Sequence, residues 1–215
     1  MNDAKYIDHT LLRPDAGRED IVRLCEEALR LNTASVCVNP CRIETAAAIL
    51  QGSDVKVCAV IGFPLGAMSE AAKVFEAEDA VARGAQEIDM VLNIGCLKDG
   101  DDAYVIHEIR AVKEAIGDVL MKVILETCLL DEETIVRACR DCMEAGADYV
   151  KTSTGFSTGG ASAEDVSLMR KTVGNRLGVK ASGGIRTAED FHRMIDAGAS
   201  RIGTSSGDKI LHGDH

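Results

Sequence analysis

Three segments of this chain repeat one short grammar, and that repeat limits the folds open to it. Arg83-Gly84-Ala85-Gln86-Glu87-Ile88-Asp89, Ala145-Gly146-Ala147-Asp148-Tyr149-Val150-Lys151 and Ala197-Gly198-Ala199-Ser200-Arg201-Ile202-Gly203 each read as a helix stopped by glycine, a short polar link and the start of a strand. Their glycines lie 62 and 52 positions apart. A strand with its following helix takes about 30 residues, so each interval holds two such units. The intervening strands are found at 121–126 and 179–182.

Eight β-prone runs can be counted, at 7–12, 34–38, 56–62, 87–93, 121–127, 148–152, 178–182 and 201–205. Helical patterns separate them: Ile21, Leu24, Cys25, Ala28 and Leu29 follow the i, i+3, i+4, i+7, i+8 spacing of a buried face. Ser162 and Thr187 each precede an aspartate by three places, Asp165 and Asp190, as helix-capping residues do. Eight alternating units with few long loops predict an α/β fold, a single-domain (β/α)8 barrel of the TIM type over 1–215, with an open doubly wound sheet as the alternative.

A net charge of −11 on 215 residues disfavours a nucleic-acid groove or an anionic membrane as partner. Any phosphate site must then be a local arrangement of backbone amides and a few cations. No run of about 18 apolar residues occurs, so no helix is expected to span a bilayer. Most of the eight cysteines fall in apolar runs (Cys37, Cys58, Cys96, Cys128) or on a helical face (Cys25, Cys139, Cys142), with no secretory segment ahead of them. They read as reduced thiols of a cytoplasmic protein. Cys139 and Cys142 form a Cys-x-x-Cys, but without a second pair the motif reads as core packing rather than a metal site.

Chemistry in a barrel belongs at the carboxyl ends of the strands. The polar residues there are Asp8, His9, Asn39, Asp89, Asn93, Glu126, Thr127, Lys151 and Lys180. Lys151 and Lys180 each sit in a short β-prone run that then breaks into Gly, Ser and Thr, an unusual place for a solvent-facing lysine. Two such lysines brought together lower each other's proton affinity, as an imine-forming nucleophile requires. Gly155, Gly183, Gly184, Gly203, Ser205 and Ser206 fall in the loops after strands six, seven and eight, where barrels hold phosphates, and Arg186 offers a cation.

Six ordered segments carry a resemblance: Asp8-His9-Thr10-Leu11-Leu12, Val36-Cys37-Val38-Asn39-Pro40, Ile61-Gly62-Phe63-Pro64-Leu65-Gly66, Glu87-Ile88-Asp89-Met90-Val91, Val150-Lys151-Thr152-Ser153-Thr154-Gly155-Phe156 and Lys180-Ala181-Ser182-Gly183-Gly184-Ile185-Arg186. Together the chain resembles the deoxyribose-phosphate aldolase family over nearly its whole length. The resemblance implies a class I aldolase that splits 2-deoxy-D-ribose 5-phosphate into acetaldehyde and D-glyceraldehyde 3-phosphate. By position it implies Lys151 as the imine-forming lysine, Lys180 as the second lysine beside it and Asp89 as the acid–base aspartate. An iminium electron sink implies no cofactor and no metal. The partners implied are small phosphosugars and aldehydes, and a homodimer is allowed. Two departures stand out: Arg13 occupies a position where many members carry lysine, and the tail from Asp208 to His215 lacks the terminal tyrosine of some members. The alternatives are another lysine-dependent phosphosugar lyase, such as a transaldolase, and a non-catalytic sugar-phosphate sensor.

Overall fold

In the computed structural model, which describes residues 3–213, the eight strands are β1 (Ile7–Leu11), β2 (Ser35–Val38), β3 (Lys56–Ile61), β4 (Glu87–Val91), β5 (Leu120–Ile124), β6 (Tyr149–Lys151), β7 (Gly178–Ser182) and β8 (Arg201–Thr204). Each pairs in parallel with the next, and β8 pairs back onto β1 with Asp8 opposite Gly203, which closes the barrel. The helices are α1 (Arg18–Leu31), α2 (Ile43–Leu50), α3 (Glu70–Ala82), α4 (Ile94–Asp99), α5 (Asp102–Ile116), α6 (Glu132–Ala145), α7 (Ala163–Val173), α8 (Ala188–Asp196) and α9 (Gly207–His212). The closed barrel replaces the open-sheet alternative.

The glycine grammar has one physical cause at all three places. Gly84, Gly146 and Gly198 have φ of 111°, 87° and 111°, where a side chain would be strained. Past each glycine an alanine amide reaches back to a helix carbonyl five residues earlier: Ala85 to Ala80, Ala147 to Cys142 and Ala199 to Met194, each at 3.0 Å. This is the six-to-one bond of a Schellman stop. The next amide already belongs to the sheet, with Gln86 donating to Val57, Asp148 to Met121 and Ser200 to Val179. Two residues thus carry the chain from a helix end into an even-numbered strand, so Glu87, Tyr149 and Arg201 begin β4, β6 and β8.

Most apolar burial lies between the outer face of the sheet and the helices. On α1 the buried stripe is Ile21, Leu24, Cys25, Ala28 and Leu31, whereas Leu29 is 38% exposed. Leu29 lies at the edge of the stripe, and the last turn is closed by Leu31 instead. Ser162 and Thr187 accept amide bonds from Asp165 and Asp190, and only the Thr187 pair completes the reciprocal box. The strand expected over 121–127 is shorter. Glu126 has a left-handed φ of 59° and Thr127–Leu129 forms a 3-10 turn, so the ladder stops at Ile124.

One buried group in the helical layer makes stability depend on pH. Asp141 on α6 is 6% exposed, its Oδ2 has no partner, and burial pushes its pKa up to about 6. A carboxyl that holds its proton more tightly when folded favours folding at low pH. That contribution is lost as pH rises from about 4 to about 6 and is absent above. Asp141→Asn is therefore expected to stabilise the protein at pH 7 by about 1–2 kcal/mol, a few degrees in Tm. Thermal scans at pH 7 and pH 4 check this, since the gain should vanish near pH 4.

Candidate active site

The inward-facing residues of the strands carry a buried ionic cluster. Asp89 on β4 is its hub: Oδ2 receives Lys151 Nζ from β6 at 2.8 Å and Lys180 Nζ from β7 at 2.7 Å, while Oδ1 receives Lys122 Nζ from β5 at 2.9 Å. Lys180 also lies 2.5 Å from Asp8 Oδ2 on β1, and Lys122 lies 2.6 Å from Glu87 Oε2 on β4. Arg201 on β8 closes the set, with Nη1 at 2.6 Å from Asp8 and 3.2 Å from Glu87, beneath the Tyr149 ring. Three carboxylates thus face four cations, and Lys151 is the cation bound to a single carboxylate.

The register explains how so many charges meet. Lys151 is directly opposite Lys180, Asp89 is opposite Lys122, and Lys180 is opposite Arg201. A Cβ on Gly203 would lie 2.9 Å from the Ser182 Cβ and 3.1 Å from the Lys180 Cε, so glycine there leaves the room that the Lys180 stem occupies. Burial works against the Lys180 ammonium, but Asp8 and Asp89 outweigh it and hold its pKa above the ordinary lysine value. Burial likewise raises Asp89, and Lys122, Lys151 and Lys180 overcome this and keep it well below the carboxylate range. The two lysines are therefore not bare like charges in contact: a shared ionised carboxylate lies between them.

Above the cluster opens a cavity of about 370 Å³. Lys151 lines it, together with Thr10, Leu12 and Arg13 from the β1 end and Thr154, Gly155, Gly183, Gly184, Arg186, Gly203 and Ser205 from the last three strands and their loops. Gly183 and Gly184 have φ of 87° and 82°, and a Cβ on Gly183 would come within 3.0 Å of Gly160, so this wall is bare backbone for steric reasons. Asp89 and Lys180 lie beneath the wall, fully buried. Ser206 is not part of it; its amide donates to Thr204 Oγ1, and it precedes α9.

The other polar strand-end residues have separate duties. His9 faces the helices, 3.4 Å from Glu27 and packed on Gly207. Asn39 donates to the Leu12 carbonyl, and Asn93 caps α4. Glu126, held in its left-handed conformation, accepts both the amide and the hydroxyl of Thr154 and so fixes the start of the β6–α7 loop. The sequence pattern does not single out Lys122, Glu87 or Arg201 as site residues. The signal for Lys122 was a lysine at an inward position of an otherwise apolar strand.

Cys37, Cys58 and Asp89 place three potential metal-ligating atoms within 4.8 Å of one another. Lys122, Lys151 and Lys180 already occupy the Asp89 carboxylate. A divalent cation there would sit among three ammonium groups, so this donor set is poorly matched to a metal.

The DeoC/LacD family aldolase profile matches residues 4–213. A deoxyribose-phosphate aldolase of Brevibacillus brevis is 63% identical over 213 residues, covering 99% of this chain and 96% of that protein. Among solved structures, a putative deoxyribose-phosphate aldolase from Coccidioides immitis is 46% identical with a TM-score of 0.95, covering 98% of this chain and 84% of that one. The deoxyribose phosphate aldolase of Aeropyrum pernix, described as a unique tetramer, is 35% identical with a TM-score of 0.90, over 98% of this chain and 91% of that one. By sequence over its whole described length and by its barrel, the chain belongs to the DeoC/LacD aldolase family.

Proposed function

We propose that the protein is a class I aldolase that reversibly cleaves 2-deoxy-D-ribose 5-phosphate to acetaldehyde and D-glyceraldehyde 3-phosphate. The observation that carries this reading is that Lys151, alone of the buried ionic cluster, lines the cavity. It is the amine a substrate carbonyl can reach, and the carboxylate and ammonium groups needed for proton transfer lie directly behind it.

Lys151 Nζ adds to the aldehyde carbon C1, water leaves, and the resulting iminium takes the electron pair when the C2–C3 bond breaks. The proton of the C3 hydroxyl passes to Asp89 through a bridging water, because Asp89 lies behind the cavity wall. Lys180, held as an ammonium by Asp8 and Asp89 and buried behind the same wall, supplies the proton that reaches C2 of the enamine through that water. Hydrolysis of the product imine frees acetaldehyde and restores Lys151. The far end of the substrate lies against Gly155, Gly183, Gly184, Ser205 and Arg186, whose amides, hydroxyl and guanidinium suit a phosphate. Ser206, next to Ser205, supports that loop through the bond from its amide to Thr204. Binding the phosphate positions the reacting carbon by remote binding energy.

The cysteines and the surface bear on setting and assembly. All eight cysteines are unbridged, which suits a reducing cytoplasm, and no helix among the described residues is long and apolar enough to cross a membrane. Cleavage in this direction belongs to deoxyribose phosphate breakdown. Exposed Leu65 and Phe75, at 73% and 71%, offer apolar surface for a homodimer.

Purified protein given deoxyribose 5-phosphate should release both aldehydes, and exhaustive chelation should leave the rate unchanged because the iminium supplies the electron sink. A sensor would bind without release; loss of turnover on chelation, restored by a divalent ion, would contradict the class I reading. Ser205→Asp places a like charge on the phosphate wall and is expected to raise KM for the phosphorylated sugar about tenfold. Unphosphorylated deoxyribose should be affected much less. Equal losses for both sugars would place the phosphate elsewhere.

A further inference from the structure

A second chemical group lies beside the catalytic cluster. Cys37 on β2 and Cys58 on β3 are register partners on adjacent parallel strands, both fully buried. Neighbouring strands are about 4.8 Å apart, within the Cα separation of about 4.4–6.8 Å that a disulfide spans. Their sulfurs lie within 4.8 Å of one another, so rotation about the Cα–Cβ bonds brings them together. Cys58 Sγ donates to Asp89 Oδ1 at 3.1 Å and lies 3.4 Å from Lys122 Nζ, which ties the pair to the hub of the site.

Neither sulfur lines the substrate cavity, but the cavity borders the pair. Thr10, the register partner of Cys37, lines that cavity, as does Leu12, which packs on Cys37 and Cys58. A small reagent that reaches Lys151 comes within the span of one carboxylate of Cys58. The two thiols also differ. The adjacent Cys58 thiol, with Lys180 and Lys151 nearby, holds the Cys37 thiol below its ordinary value, whereas burial raises Cys58. The pair thus contains an attacking sulfur and a resolving one.

We propose that Cys37 and Cys58 are an oxidisable dithiol that hydrogen peroxide closes to a disulfide, reversibly lowering the activity of the adjacent site. The Cys37 thiolate attacks one peroxide oxygen, the O–O bond breaks, and the departing hydroxide takes a proton to become water. The Cys58 sulfur then displaces hydroxide from the Cys37 sulfenic acid, forming the S–S bond and a second water. Two thiols and one peroxide give one disulfide and two waters. Closure removes the hydrogen that Cys58 donates to Asp89 and is expected to cost about tenfold in turnover, the effect of one hydrogen bond to a charged group.

The test is stepwise treatment of the Cys41→Ser protein with peroxide, because Cys41 is exposed and shares a tryptic peptide with Cys37. Remaining thiols are blocked, and the digest is mapped without reduction. The expected result is a Cys37–Cys58 linked peptide pair whose yield tracks the fall in turnover, with dithiothreitol reversing both. Cys58→Ala should lose the dithiothreitol-reversible part of the inactivation relative to its own untreated rate. The mapping of the unsubstituted pair stands whether or not that variant folds. A linked pair that leaves turnover unchanged, or oxidation that stops at other cysteines or at Cys37 sulfinic acid, would overturn the proposal.

Discussion

Lys151→Met is expected to lower turnover by at least about four orders of magnitude, the scale of losing a covalent nucleophile, while leaving Tm unchanged or raised. The two halves of this expectation have different causes. Turnover falls because no other amine of the buried cluster lines the cavity. Stability holds because the interior has four cations for three carboxylates, and methionine removes the surplus charge while keeping most of the stem's volume. Asp89 keeps Lys122 and Lys180 as partners. Rates and thermal scans on the same preparation check both; a large loss of Tm would mean that Lys151 is chiefly a structural counter-ion.

Asp89→Asn is expected to differ in kind, lowering both quantities. Three ammonium groups share this one carboxylate, so neutralising it leaves buried cations short of partners, at a cost of about 3–5 kcal/mol. In a chain of this size that amounts to roughly 10 °C in Tm. Turnover should fall about a thousandfold, the scale of removing a general acid–base group. The double variant Asp89→Asn with Lys122→Met separates the effects. Removing one stranded cation should recover part of the Tm and none of the turnover. Substantial turnover in Asp89→Asn alone would remove Asp89 from the proton path.

The contrast between these variants follows from a network that was only partly legible in the chain. Lys151 and Lys180 stood out because each ends a β-prone run at a break into Gly, Ser or Thr. Asp89 stood out as a strand-end acid. Lys122 did not, because Val123, Ile124 and Leu125 carry the apolar run on past it. Its role comes from facing Asp89 across the β4–β5 register, and inter-strand register is not written in a local pattern. Arg201 and Glu87 were visible in the glycine grammar as the first residues of strands. Their pairing across the barrel floor required closure of β8 onto β1.

The proposed phosphate wall shows the same boundary between local and long-range information. The glycines after β6 and β7 were readable as loop residues, and they line the cavity together with Arg186. Ser205 and Ser206 looked equivalent. Which of them faces the cavity depends on where β8 ends and α9 begins, a difference of one residue that places Ser205 on the wall and aims the Ser206 amide at Thr204. The expectation of two like charges in contact missed the shared carboxylate. Asp89 is 62 residues from Lys151 and 91 from Lys180, and only the closed barrel brings them together.

The proposed chemistry depends first on imine formation at Lys151. Borohydride reduction in the presence of acetaldehyde, and separately of deoxyribose 5-phosphate, followed by peptide mass mapping, tests it directly. A reduced adduct is expected on the peptide carrying Lys151 and is expected to be absent from Lys151→Met. An adduct on Lys180 or Lys122, or none under conditions of full turnover, would contradict it.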